Sequence, residues 1–129
     1  VMRRLELVSE ISNIRIYDDF AHHPTAIEFS VRAIRKKYPN KKILGIVELG
    51  SNTMSSGHHK ENLINSFKLL DKTLLLDHKK VYDYEYVHHK IESLLLNLKE
   101  TILDYDIILI MTNKDSQKFI KPVLKYIEK

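Results

Sequence analysis

The sequence predicts an α/β fold, a Rossmann-like and mostly parallel sheet flanked by helices, with an antiparallel hairpin at its N-terminal edge. Three observations predict it. Residues 43–49 and 107–111 are apolar on both faces, as strands covered by helices on each side must be. Between such runs the apolar period lengthens: Ile27, Val31, Ile34 and Tyr38 fall at the i, i+4, i+7, i+11 spacing of one helix face. At the start, Leu5 and Leu7 alternate with Glu6, and after Ser12-Asn13 the alternation resumes with Ile14 and Ile16 against Arg15 and Tyr17. Strands alternating with helices in this way build a parallel sheet.

Taken in order, the first two strands form a hairpin or two short consecutive strands, the second covering residues 14–17, and residues 18–23 form a strand-to-helix loop. A helix follows from Thr25, with Glu28 and Arg32 paired at i, i+4, and stops before Pro39-Asn40. The strand at 43–49 ends in a polar loop over residues 50–57. Leu63, Ile64, Phe67 and Leu70 mark a second helix, and residues 73–76 a third buried strand. Asp77-His78-Lys79-Lys80 reads as a turn, and residues 81–86 as a short strand or irregular chain. Val87, Ile91, Leu94, Leu95, Leu98 and Ile102 restore a helix, so His88 and His89 fall at a solvated helix start. The strand at 107–111 is followed by a last helix with Ile120, Val123, Leu124 and Ile127 on its inner face, which Pro122 should kink early or begin. No repeat or low-complexity linker divides the chain, so residues 1–129 form one domain.

A chain of 129 residues with 43% hydrophobic and 29% charged residues suits one soluble globular core, and no apolar run reaches the ~18 residues of a membrane span. With no cysteine there is neither a disulfide framework nor a thiolate metal site, and the expected compartment is the cytoplasm. The net charge of +4 raises nucleic-acid binding. The positive charge is dispersed, however, and its densest groups, Arg35-Lys36-Lys37 and Lys41-Lys42, flank a helix end where cations offset the helix dipole. Neither nucleic acid nor membrane is expected as a partner. Val1-Met2-Arg3-Arg4 leads straight into a strand pattern without an apolar leader, a start expected of a piece of a longer protein.

Chemistry concentrates at Tyr17-Asp18-Asp19-Phe20-Ala21-His22-His23-Pro24. In a parallel sheet the loops after residues 14–17, 43–49 and 107–111 lie at one edge, where open α/β sheets bind ligands. Asp18, Asp19, His22 and His23 would meet Ser51, Asn52 and Thr53, and Thr112 and Asn113, there. The bland reading is an Asx-turn or helix cap at Asp18 or Asp19. The acids and the doublets His58-His59 and His88-His89 also invite a metal, and a metal-dependent hydrolase is one alternative. No His-x-x-x-His pair exists to supply two ligands from one helix face, and no protein-ligated metal is expected. A receiver-like phosphoacceptor would need a further Asp at a central strand end, where Glu48 and Gly50 stand. No phosphate-cradling Gly-x-x-x-x-Gly-Lys-Ser/Thr loop is present.

Arg4-Leu5-Glu6 followed by the acid-histidine segment through Thr25 resembles the start of the C-terminal domain of the Mur ligases, ATP-dependent enzymes of bacterial peptidoglycan assembly. Ser51-Asn52-Thr53-Met54, with Gly57 and His59-Lys60, resembles the murein peptide ligase branch, whose members recycle cell wall by joining UDP-N-acetylmuramate to L-alanyl-γ-D-glutamyl-meso-diaminopimelate. The resemblance implies a third domain that works with an N-terminal UDP-sugar domain and a central domain holding ATP and Mg2+, and that is inactive alone. It implies activation of the muramate carboxylate as an acyl phosphate and attack by the peptide amine. By matched position, Arg4 would reach the ATP side of the closed cleft and Asp19 would accept from the ribose hydroxyls. His22 and His23 would stand as catalytic groups near the phosphates and reacting atoms, and Ser51, Asn52, Thr53 and Asn113 would face the peptide.

The chain departs from the family pattern at three places. Leu49-Gly50 stands where Pro-Arg is expected, Ser55 where a lysine follows, and Lys114-Asp115-Ser116-Gln117 where a glycine-rich run is usual, so two cationic contacts are lost or relocated. A ligase domain for UDP-N-acetylmuramate and L-alanine is the alternative within the family; a non-catalytic binding module is the alternative outside it.

Overall fold

The computed structural model describes residues 4–49, 60–80, 82 and 86–128. Two strands open it, β1 (Glu6–Ile11) and β2 (Ile14–Asp19), paired antiparallel. Ser12 and Asn13, at φ 53° and 67°, make the two-residue turn whose left-handed residues match the twist of a hairpin. The chain continues through α1 (Pro24–Lys37), β3 (Ile43–Glu48), α2 (Lys60–Asn65), β4 (Lys72–Leu76), β5 (Val87–His88), α3 (Ile91–Thr101) with a 3-10 turn (Ile102–Asp104), β6 (Ile107–Met111) and α4 (Gln117–Glu128). The six-stranded sheet has the order β1-β2-β6-β3-β4-β5, parallel everywhere except at the β1–β2 edge. The expected architecture is therefore the one observed.

Strand alternation sorts the core into two layers. Tyr17, Val47, Leu75, Leu109 and Met111 face α1 and α2, where they pack with Ile27, Val31, Ile34, Leu63 and Phe67. Ile16, Leu44, Ile46, Leu74, Leu76, Ile108 and Ile110 face α3 and α4, against Leu94, Leu98, Phe119, Val123 and Ile127. Apolar side chains on both pleats of β3 and β6 explain their unbroken hydrophobic reading.

Four local expectations are corrected. The second strand runs two residues beyond Tyr17, to Asp19, so both acids are strand residues and only residues 20–23 form the loop. The second helix spans six residues, and Phe67 and Leu70 are buried from the turns that follow it. Val87 and His88 form a short parallel strand on β4 instead of opening a helix, which begins at Ile91 after His89 and Lys90. The last helix starts at Gln117 and carries Pro122 as its sixth residue, so Pro122 does not mark its start. The polar loop at 50–57 lies outside the described residues, as does much of 81–86.

The candidate active-site edge

β2, β6 and β3 are adjacent and parallel, with Asp19 and Val47 both in register with Met111, so the segments after them emerge at one edge. Asp18 and Asp19 arrive there on opposite pleats. Asp18 Oδ2 accepts a hydrogen bond from Ser116 Oγ at 2.9 Å, which ties the strand end to the segment leading into α4. Asp19, fully buried, turns the other way: Oδ1 accepts from the Ala21 amide at 2.9 Å and Oδ2 from the Ser30 hydroxyl on α1. The Asp19–Ala21 bond is the Asx-turn that bends the chain out of β2. Alternation thus separates two neighbouring acids that a loop would have allowed to act together. Among the described residues no group of three or more His, Cys, Asp or Glu could hold a metal ion.

Arg4 Nε lies 4.0 Å from Asp19 Oδ1, and its guanidinium stacks 5.8 Å over the Phe29 ring. Its side chain is half exposed, so the ion pair is weak and the group is available to a ligand. Arg4, Phe20, Ala21, His22 and Ala26 line a shallow pocket of about 130 Å³. His22 is held by three contacts: Nδ1 against the Phe20 carbonyl at 3.1 Å, an edge-on Phe20 ring at 5.5 Å, and the His23 ring at 4.3 Å. His23 is exposed at the N-cap position of α1 and makes no side-chain cap; its carbonyl accepts from the Ile27 amide at 2.8 Å. The structure thus brings Arg4 and His22 to one pocket with Asp19 behind it. Asn113 follows β6 at the same edge, its Oδ1 buried and without a hydrogen-bond donor among the described residues. Ser51, Asn52 and Thr53 lie outside the described residues.

One group was not anticipated. Glu48, the last residue of β3, is buried on the α4 side, where Oε1 accepts from Thr112 Oγ1 at 2.7 Å. Oε2 accepts from Lys118 Nζ at 2.6 Å and lies 3.3 Å from His78 Nε2. Burial alone would push this carboxyl up. The hydrogen bonds from Lys118 and Thr112, the Lys118 charge and the His78 contact outweigh burial and hold it below its ordinary value. The sequence signal was a lone acid closing an apolar strand, since a buried carboxylate needs a cation or hydrogen-bond donors. The partners themselves are 64 and 70 residues away along the chain.

This doubly covered, mostly parallel sheet with a polar C-terminal edge is the architecture of a ligand-binding α/β domain. The family described as "Mur ligase, glutamate ligase domain" matches residues 3–111, and the chain belongs to that family. A UDP-N-acetylmuramate–L-alanyl-γ-D-glutamyl-meso-2,6-diaminoheptandioate ligase of Haemophilus influenzae is 41% identical over 75 residues, 57% of this chain and 17% of the relative. A UDP-N-acetylmuramate–L-alanine ligase of Porphyromonas gingivalis is 26% identical over 98% of this chain and 31% of its own length. The crystal structure of a murein peptide ligase from Psychrobacter arcticus superimposes with a TM-score of 0.78 at 28% identity, covering 97% of this chain and 30% of that one. The chain therefore spans less than a third of each of these relatives. No helix among the described residues is long and apolar enough to cross a membrane.

Proposed function

We propose that this chain is the third, C-terminal domain of an ATP-dependent amide ligase that joins UDP-N-acetylmuramate to L-alanyl-γ-D-glutamyl-meso-diaminopimelate in peptidoglycan recycling, in the cytoplasm. The observation that carries the reading is the shared pocket of Arg4 and His22 beside Asp19, at the sheet edge where the end of β3 and Asn113 also lie. A pocket of about 130 Å³ accommodates an edge of a ribose or a phosphate and no whole nucleotide. In this reading ATP and Mg2+ are held mainly by a central domain of the intact ligase. When bound, ATP supplies the phosphoryl group that activates the muramate carboxylate.

The chain's own residues then position and stabilise. Arg4 offers a fixed cationic fork to an anionic oxygen at the pocket mouth. His22, with Nδ1 at the Phe20 carbonyl, lines the pocket, where an imidazole N–H can donate to a phosphate oxygen. His23 stands beside it on the exposed side. Asp19 does not line the pocket, so ribose hydroxyls reach its remaining lone pairs only once neighbouring side chains shift; meanwhile it sets the loop that carries both histidines. Ser51, Asn52, Thr53 and Asn113 are assigned to recognition of the peptide. Without the two other domains the reacting groups are never brought together, so the chain alone is inactive.

ADP release by the intact ligase, measured with each substrate omitted in turn, tests this reading. Turnover must require both UDP-N-acetylmuramate and the tripeptide; turnover without tripeptide overturns it. Preference for L-alanine over the tripeptide would support instead the activity named for the Porphyromonas gingivalis relative.

A further inference from the structure

Among the described residues β5 is the outermost strand of the sheet opposite β1, and it is two residues long. Its backbone is held beside β4 by the Leu75 amide, which donates to the Tyr86 carbonyl at 3.1 Å, and by the Asp77 amide, which donates to the His88 carbonyl at 2.8 Å. Alternation turns Val87 toward the core layer of α1 and α2 and His88 toward α3. So short an edge opens readily unless side chains hold it. Four side chains from three elements do so. Lys72 Nζ on β4 lies 3.2 Å from Asn97 Oδ1 on α3, Asn97 Nδ2 lies 3.5 Å from His88 Nε2, and His88 Nδ1 lies 2.6 Å from Ser93 Oγ.

Donor counting fixes every role in this chain of contacts. An ammonium has only N–H donors, so Asn97 turns its carbonyl oxygen to Lys72 and its NH2 to His88. Nε2 therefore faces an N–H and is the accepting nitrogen, and the ring proton sits on Nδ1, which donates to Ser93 Oγ. This neutral tautomer satisfies all four groups. A second proton would set Nε2–H against the N–H of Asn97, and turning the amide over would set its NH2 against the Lys72 ammonium. The surroundings oppose that proton as well. From α3 the ring meets neutral Ser93 and Asn97, with exposed Glu92 beside Ser93; from β4 it meets the charge of Lys72, whose Nζ also sits 4.5 Å over the Tyr86 ring; from its own segment it meets His89. The Asp77 carboxylate of this corner accepts from the Lys79 and Tyr82 amides at 3.2 and 2.8 Å. Burial, then Lys72, then His89 hold the His88 imidazole below its ordinary 6.5.

What His88 holds reaches the site edge. Asp77, tied to β5 through its amide, opens the turn over residues 77–80, and its carbonyl accepts from His89 Nδ1 at 3.1 Å. His78, next in that turn, touches Glu48 at the end of β3. We propose that the Lys72–Asn97–His88–Ser93 chain is a proton-sensitive latch, which clamps β5 and the 77–80 turn while His88 is neutral and lets that corner open when His88 takes a second proton. The docked strand favours the neutral ring and the open strand does not. Docking is therefore full above pH 6.5 and weakens roughly tenfold per pH unit as pH falls toward the folded midpoint, levelling off below it.

The test follows the 129-residue chain by NMR between about pH 7.5 and 5, above the range in which Glu48 and Asp71 titrate. Amide exchange is read as protection factors, which remove the intrinsic pH dependence of the rate. The Leu75 and Asp77 amides should lose protection roughly tenfold per pH unit from 6.5 down to the His88 midpoint, while the amides of β6 keep theirs. The neutral His88 ring should carry its proton on Nδ1, which the ring nitrogen shifts distinguish. Asn97→Asp puts an acceptor at Nε2, so it should raise the His88 midpoint by about one pH unit or more and remove the acid loss of protection. His88→Gln, which cannot titrate, should make protection at Leu75 and Asp77 independent of pH. An Nε2–H tautomer, a midpoint unmoved by Asn97→Asp, wild-type protection at Leu75 and Asp77 that stays constant over the range, or an equal loss in β6 overturns the inference.

Discussion

Replacing Asp19 with alanine should cost this chain about 2–4 kcal/mol of stability, because two buried donors lose their acceptor and each unsatisfied donor costs about 1–3 kcal/mol. The donors are the Ala21 amide and the Ser30 hydroxyl. The sum sits below the maximum because a helical serine can turn its hydroxyl to the carbonyl four residues back. The exposed Arg4 contact at 4.0 Å adds little. A chain of this length loses roughly 4 °C of melting temperature per kcal/mol, so Asp19→Ala should melt about 8–15 °C below the wild type. Asp19→Asn keeps an acceptor for Ala21 and removes the charge, so it should lose about 1–2 kcal/mol. Ser30→Ala should lose about 1 kcal/mol, and less when Asp19 is already alanine. The assay is thermal and urea unfolding of all four variants by circular dichroism. Asp19→Ala melting within 2 °C of the wild type would refute the claim that this acid holds the turn out of β2. Asp19→Asn in the intact ligase then isolates the nucleotide role: with the fold largely kept, a raised ATP KM reports the ribose contact.

Three further outcomes can be checked on the 129-residue chain. A methyl group at Gly45 would lie 2.5 Å from Leu70 Cδ1, so Gly45→Ala should destabilise by about 1 kcal/mol after overpacking is set against the backbone entropy regained; Leu70→Ala in the same chain should relieve part of that, as urea midpoints would show. Arg35 donates to the carbonyls of Leu69, Tyr38 and Lys41 and to Asp71 Oδ2, and Arg35→Lys cannot reproduce that fork; a loss of about 1–3 kcal/mol is expected by the same measurement. Among the described residues, three groups with lowered values shape the acid limb of the stability curve. Glu48 and Asp71 are held below their ordinary values of 4.5 and 3.8, and His88, by burial first and then by Lys72 and His89, below 6.5. In each case the unfolded chain binds the proton first, so stability is full above the ordinary value and falls as pH drops through the folded one. Melting temperature should therefore begin to decline below pH 6.5 and steepen below 4.5, and Glu48→Gln should flatten the steep part.

The sequence made the sheet legible wherever one physical cause dominated. Residues on both pleats of β3 and β6 are covered by helices, and the two unbroken apolar runs say so directly. The limits of β2 were hidden because Asp18 and Asp19 are polar, and a polar pair after an apolar strand reads as a loop. Ser116 and Ser30 supply the partners that keep them in the strand, and neither is visible from local pattern. Residues 66–70 kept burying Phe67 and Leu70 from turns, which imitated a longer helix. Two-residue β5 has no period at all, so Val87 was drawn into the helical pattern that follows. At the site, Arg4 and His22 meet as the motif suggests, whereas the Glu48 group needed three-dimensional contacts between residues far apart in sequence.

The sheet order has a consequence for how the molecule comes to exist. β6, the last strand among the described residues, lies between β2 and β3, and no other strand of the described residues bridges them. A nascent chain that has not yet released Ile107–Met111 holds two separate strand groups, β1–β2 and β3–β4–β5, each with a bare apolar edge. Closure must wait for these last residues, and pairings so distant in sequence form slowly. Chains truncated at residue 106 should show no slowly exchanging amides in β2 or β3, while the full chain protects both. The hairpin that is made first is held in place by the strand that is made last.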